Sequence, residues 1–163
     1  MFPTEIAALA RLLVDEARSR SVRIATAESC TGGLVAAAIC AVPGASDIFE
    51  RGFVTYSNRA KSEMIGVPGD LIADFGAVSE PVARAMAEGA LAHSDTHLTV
   101  AITGIAGPGG GTPMKPVGTV HFATARANGP ILHRHELFAG ESREAIQLAA
   151  LRTALEMLRE RLA

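Results

Sequence analysis

The chain has 163 residues, 15 Lys and Arg against 17 Asp and Glu (formal net charge −2), 48% hydrophobic and 4% aromatic residues, and no Trp. That is the size and apolar content of a single domain, 1–163, with a core built from Ala, Val, Leu and Ile. The balanced charge, with no Lys/Arg stripe, argues against a nucleic-acid partner. The longest apolar run, residues 34–43, is too short to span a bilayer.

Pro3-Thr4 opens the first helix, with Ile6, Leu9, Leu13 and Ala17 on one face. Its charges, Glu5, Arg11 and Asp15, mark it as amphipathic and not as a signal peptide. An apolar strand, Val22–Ala27, follows and runs into "AESCTGGL". This reads as strand, glycine turn, helix. Such a turn leaves free backbone N–H groups that can hold an anion. Ser29 and Cys30 stand side by side there. Ser29 at such a turn is placed as a nucleophile beside an oxyanion site, Cys30 as a thiol activated by a helix N-terminus, and Ser29 or Thr31 as a simple helix cap. The second cysteine, Cys40, lies roughly 15 Å from Cys30 at helical rise, too far for a disulfide. A reducing cytoplasm is expected.

The next strand, Gly52–Tyr56, leads into a short helix with Asn58 as its cap and Lys61 one turn in. Tyr56 and Lys61 both fall near the carboxyl end of a strand, the ligand edge of an α/β sheet. With no His close to either motif, a serine nucleophile would draw on Lys61 or Tyr56, and Lys61 acts as a base only when burial or a nearby cation lowers its pKa. A lysine on a short helix otherwise reads as a solvated charge. The Tyr–Lys spacing of five and the lack of GxGxxG exclude a short-chain dehydrogenase.

Ser79-Glu80-Pro81 opens a helix that runs to about His93. "LTVAITG", Leu98–Thr103 and the glycine after it, is apolar almost throughout, as a central strand covered on both faces must be. It is followed by "TGIAGPGGGTPMKPVG", six glycines and three prolines in sixteen residues. Such a loop brings backbone close to a ligand, yet it is neither a P-loop nor GxGxxG. Strands Gly118–Ala125 and Ile131–Phe138 form a hairpin through Asn128-Gly129. His133 and His135 share a face there and read as a surface pair, with no third metal ligand apparent. Ser142 caps the last helix. Its leucines at 148, 151, 155, 158 and 162 form a packing seam, and a second stripe (Ile146, Ala149, Thr153, Met157) suits a subunit interface, so a homo-oligomer is expected. Arg143 sits in the first turn, where a cation opposes the helix dipole and so hints at an anion. The element order predicts a layered α/β/α domain with a mixed, mainly parallel sheet and a C-terminal hairpin plus helix.

The motifs "TAESCTGG", "YSNRAK" and "TGIAGPGGGTPMKPVGTV", in this order, resemble the CinA carboxy-terminal domain family, the nicotinamide-nucleotide amidohydrolases, over nearly the whole chain. The resemblance implies a cytoplasmic bacterial amidase that converts nicotinamide mononucleotide to nicotinic acid mononucleotide and ammonia in pyridine-nucleotide recycling, without metal or organic cofactor. Ser29 matches the family's nucleophile; Tyr56 and Lys61 match its activating residues. Cys30, Thr31, Gly32 and Gly33 match the segment around the nucleophile. Thr103, Gly104, Gly107, Gly109 and Gly110 match a substrate-binding loop, and Asn58 and Arg143 are expected beside them. Many members carry a preceding domain similar to molybdopterin-binding proteins; its activity is not expected here. Where many relatives have a second Arg, this chain has Gln147. A non-catalytic nucleotide-binding module is the alternative.

Overall fold

The computed structural model describes all of residues 1–163. In chain order the elements are α1 (Thr4–Ser19), β1 (Ile24–Glu28), α2 (Leu34–Cys40), a 3-10 turn (Ala45–Asp47), β2 (Phe49–Val54), α3 (Asn58–Ile65), α4 (Gly69–Phe75), α5 (Glu80–Ala92), β3 (Leu98–Gly104), β4 (Thr119–Arg126), β5 (Ile131–Leu137) and α6 (Arg143–Glu160). One five-stranded sheet has the order β2-β1-β3-β4-β5. β1 pairs in parallel with both β2 and β3, while β4 runs antiparallel to β3 and to β5. Four strands therefore share one direction and β4 alone is reversed, which is the mixed, mainly parallel sheet expected.

The two faces are covered by different helices. α1, α2 and α6 enclose a core that includes Ile6, Leu13, Ile24, Val35, Ile39, Val100, Phe122, Leu151, Leu155 and Leu158. α5 lies on the opposite face, flanked by α3 and α4, over a smaller core of Ala27, Ile65, Val82, Met86, Ala101 and Ala123. Alternate residues of each strand serve the two cores, because successive strand side chains point to opposite faces. Both stripes of α6 are used inside the chain. Ile146, Thr153 and Met157 are buried, as are Leu151, Leu155, Leu158 and Leu162, whereas Leu148 and Ala149 are only partly buried.

The boundaries differ from the sequence reading at informative places. β2 begins three residues before Gly52 and ends at Val54, because the pairing with β1 carries it and not its own hydrophobicity. α4, a two-turn helix, carries no clear apolar period and was not expected. Asn58 is the first residue of α3 and not its cap; Ser57 accepts the Ala60 N–H at 3.0 Å.

The crossover from β2 to β3 passes over β1, so the chain switches direction across the sheet between β1 and β3. Ligands bind outside the carboxyl ends of strands at such a switch point. Here that edge is formed by Glu28, Val54 and Gly104, followed directly by Ser29, Thr55 and the glycine-rich loop. In the middle of β1, the Thr26 hydroxyl is fully buried with no hydrogen-bond partner. Replacing it by the near-isosteric Val removes a desolvated polar atom, so Thr26→Val is expected to raise unfolding stability in urea by about 1 kcal/mol.

Candidate active site

Ser29 leaves β1 still tied to the sheet, its N–H donating to Ile102 O at 3.0 Å. The chain then turns through Gly32 and Gly33, at φ 56° and 105°, a left-handed region that disfavours any side chain. Neither Ser29 nor Thr31 caps α2. The cap is the carboxylate of Glu28, fully buried at the end of β1, which accepts the N–H groups of Val35 (2.9 Å) and Ala36 (3.1 Å) and the Thr31 hydroxyl (2.7 Å). A buried anion is stable where several N–H and O–H donors and a helix N-terminus converge on it. Glu28 thus clamps the turn from behind. The N–H of Gly32 is used by Ser29 O. No main-chain acceptor pairs with those of Cys30 and Thr31.

Lys61 is 1% exposed. Its Nζ donates to Ser29 Oγ at 3.0 Å, to Thr55 O at 2.9 Å and to Tyr56 O at 3.4 Å. Burial pushes its pKa below the ordinary lysine value, against a smaller opposing effect of Cys30. A neutral amine has two N–H donors and one lone pair. In that form the two carbonyls would take the N–H donors and the Ser29 contact would reverse, the hydroxyl donating to the lone pair. The surface-lysine reading is excluded.

Cys30, next in sequence, has a different environment. Burial drives its thiol pKa up to about 12, and it lies against Gly104, where an added Cβ would come within 3.0 Å of Cys30 Sγ. α2 starts four residues later, so no helix N-terminus activates the thiol. Both cysteines are free, and Cys40 is exposed.

A cavity of about 280 Å³ opens over the pair. Its walls include Ser29, Cys30, Tyr56, Asn58, Lys61, Thr103, Gly104, Gly107, Gly109, Gly110 and Arg143. The structure therefore brings together eleven of the fourteen residues singled out in the sequence. Thr31, Gly32 and Gly33 stand behind Ser29 and do not line it. Arg143, unfavourable to the α6 dipole, reaches away from its helix to donate to Gly107 O (2.6 Å) and to the Tyr56 hydroxyl (2.9 Å). The expectation that the Tyr56 side chain joins Ser29 is not met: its hydroxyl bonds Arg143, and only its backbone carbonyl faces the Ser29–Lys61 pair, with Ser29 Oγ at 3.5 Å. A larger groove, about 510 Å³, lies between α3, α4 and α5 around Ile65, Leu71, Arg84 and His93 and contains no comparable pair.

Several contributors were not legible in the sequence. Ala77 and Val78, just ahead of the α5 cap, complete the cavity wall, anchored by the Thr103 hydroxyl donating to Ala77 O at 2.9 Å. Gln147 donates to Cys30 O at 3.1 Å and so fixes the peptide that carries the Thr31 N–H. The i, i+4 spacing of Arg143 and Gln147 on one helix face was the available signal. The histidine pair gains a neighbour from β4: His121 Nδ1 lies 2.9 Å from His133 Nε2 and its ring stacks on His135. No group of His, Cys, Asp and Glu is arranged to hold a metal ion, and no helix is long and apolar enough to cross a membrane.

Fold and site together define a three-layer α/β domain with a buried serine–lysine pair at the switch point of its sheet. The chain belongs to the CinA family: the model of the CinA C-terminal domain matches residues 6–162. It is 48% identical, over 97% of its length and 95% of the relative's, to the nicotinamide-nucleotide amidohydrolase PncC of Escherichia coli K12. A CinA-like protein of Akkermansia muciniphila is 57% identical over 76% of this chain, which covers only 30% of that relative. The chain thus spans about a third of the length of such CinA-like relatives. Among solved structures, the competence/damage inducible protein CihA of Agrobacterium tumefaciens superposes with a TM-score of 0.97 at 48% identity, covering 98% of this chain and 97% of that one.

The contrast between the two cysteines is directly measurable. Iodoacetamide at about pH 8 is expected to alkylate Cys40 and leave Cys30 unmodified in the folded protein, with both modified after denaturation, as read by mass spectrometry.

Proposed function

We propose that the chain is a cytoplasmic serine amidohydrolase that converts nicotinamide mononucleotide to nicotinic acid mononucleotide and ammonia, in the recycling of pyridine nucleotides. The observation that carries the reading is the 3.0 Å contact between Ser29 Oγ and a buried Lys61 whose pKa is lowered by desolvation. The full-length similarity to an enzyme named for this reaction supports the choice of substrate.

In this mechanism neutral Lys61 takes the proton of Ser29 as Oγ attacks the carboxamide carbon. The carbonyl oxygen gathers negative charge and is met by the N–H groups of Cys30 and Thr31, a stabilisation whose loss costs about 3 kcal/mol per donor in comparable sites. Protonated Lys61 then passes its proton to the amide nitrogen, and ammonia leaves. A water molecule, deprotonated by Lys61, attacks the acyl-enzyme, and the carboxylic acid departs as Ser29 regains its proton. The cavity takes the pyridine and ribose, with the phosphate at the mouth beside Arg143.

Ammonia release from nicotinamide mononucleotide tests the reading. The unsubstituted chain is expected to turn over and Cys30→Ala to retain turnover, whereas Ser29→Ala and Lys61→Met lose it by about 10³-fold or more. No ammonia from the intact folded chain would favour a nucleotide-binding module instead. Because the neutral amine is the active form, kcat should rise with pH through the depressed Lys61 pKa; a flat profile from about pH 6 to 9 would move the base elsewhere.

A further inference from the structure

Tyr56 has two unconnected environments. Its backbone carbonyl takes part in the buried pair, 3.4 Å from Lys61 Nζ and 3.5 Å from Ser29 Oγ. Its side chain is 58% exposed at the cavity mouth, and the hydroxyl bonds neither Ser29 nor Lys61. It accepts from Arg143 Nη2 at 2.9 Å. A guanidinium has five donors and no acceptor, so the phenol has no base there to which it can pass a proton. Arg143, for its part, is held from two sides, by Gly107 O and by the Tyr56 hydroxyl. That fixes a cation between the glycine-rich loop and the β2–α3 connection, with donors left for an anion.

We propose that the Tyr56 side chain serves substrate recognition and not proton transfer: its hydroxyl positions Arg143 for the anionic tail of the substrate, and its exposed ring offers a face to the flat heteroaromatic ring that bears the amide. This rests on the preceding reading for the identity of the substrate, but not for the role of the phenol. An aromatic face and a fixed guanidinium together select an aromatic amide with an anionic tail over a small aliphatic amide. The carbonyl contacts of Tyr56 belong to the main chain and survive any substitution of the side chain.

The test compares the unsubstituted chain with Tyr56→Phe, Tyr56→Ala and Lys61→Met in two assays. The first is covalent labelling of Ser29 by phenylmethanesulfonyl fluoride. In it the Ser29 oxygen–sulfur bond forms, fluoride leaves and the serine proton goes to Lys61, so the assay reads the pair without any nucleotide. The second is steady-state ammonia release from nicotinamide mononucleotide. Tyr56→Phe is expected to label within about threefold of the unsubstituted chain and to keep kcat within the same range, with KM raised about 5- to 10-fold by the lost tether on Arg143. Tyr56→Ala should raise KM further, and Lys61→Met should abolish labelling. The chain has one tyrosine and no tryptophan, so its ultraviolet emission reports Tyr56 alone. In the non-hydrolysing Ser29→Ala protein, nicotinamide mononucleotide is expected to quench that emission saturably. A fall of about 100-fold or more in both labelling and kcat for Tyr56→Phe, at unchanged KM, would return the phenol to proton transfer and overturn the proposal. Normal labelling with no ammonia from the unsubstituted chain would instead overturn the substrate assignment alone, and the labelling ratio would still decide the role of the phenol.

Discussion

The burial of one amine organises this site. Lys61 projects from the first turns of α3 into the end of the sheet, where the three backbone and side-chain oxygens around it are the only polar groups that meet it. Transfer of an ammonium to such a place is costly, and the protein relieves the cost by favouring the neutral form. In the proposed mechanism, the same desolvation that weakens lysine as a cation lets it serve as the base. Everything around it serves that placement: Ser57 starts α3 at the right residue, the β1–β2 pairing brings Thr55 and Tyr56 carbonyls alongside, and β3 supplies the opposite wall.

Opposite this amine lies a buried carboxyl group, that of Glu28, one residue before Ser29. It has donors where Lys61 has acceptors. By capping α2 and holding Thr31, Glu28 fixes the shape of the glycine turn, while Gln147 from α6 fixes the Cys30 carbonyl from the other side. The turn is thereby held by groups from β1 and α6 without using the Cys30 and Thr31 N–H groups themselves. In the proposed mechanism, donors held in this way need no reorientation when charge appears. Ser29 and Cys30, adjacent in sequence, diverge for an equally local reason: consecutive side chains leaving a strand point to opposite sides, so one meets Lys61 and the other packs against Gly104.

Much of this was legible in the chain. The apolar stretch before "AESCTGGL", the Ser79 and Ser142 caps, the Asn128-Gly129 hairpin and the doubly covered strand "LTVAITG" each declare local structure through short-range rules, and their order implies a layered α/β domain. The resemblance of three spaced motifs pointed to Ser29, Tyr56 and Lys61 together. What could not be read was how side chains are shared over distance. Glu28 as a cap, Gln147 on Cys30 O, the Tyr56–Arg143 bond and the arrival of His121 beside His133 all join residues far apart in sequence or reversed in chain direction. α4 was missed because two turns do not establish an apolar period, and β2 because an edge strand is defined by its partner.

The sequence by itself determined most of the elements, α4 and the extent of β2 aside, together with their order and the residue types available for chemistry at the carboxyl edge, since these follow from propensity, capping and periodicity within a few residues. The tertiary structure alone decided which of those residues meet, which nitrogen is desolvated and which hydroxyl faces it. Hydrogen-bond partnership and dielectric environment depend on packing between β1, β2, β3, α3 and α6, and no local pattern encodes them.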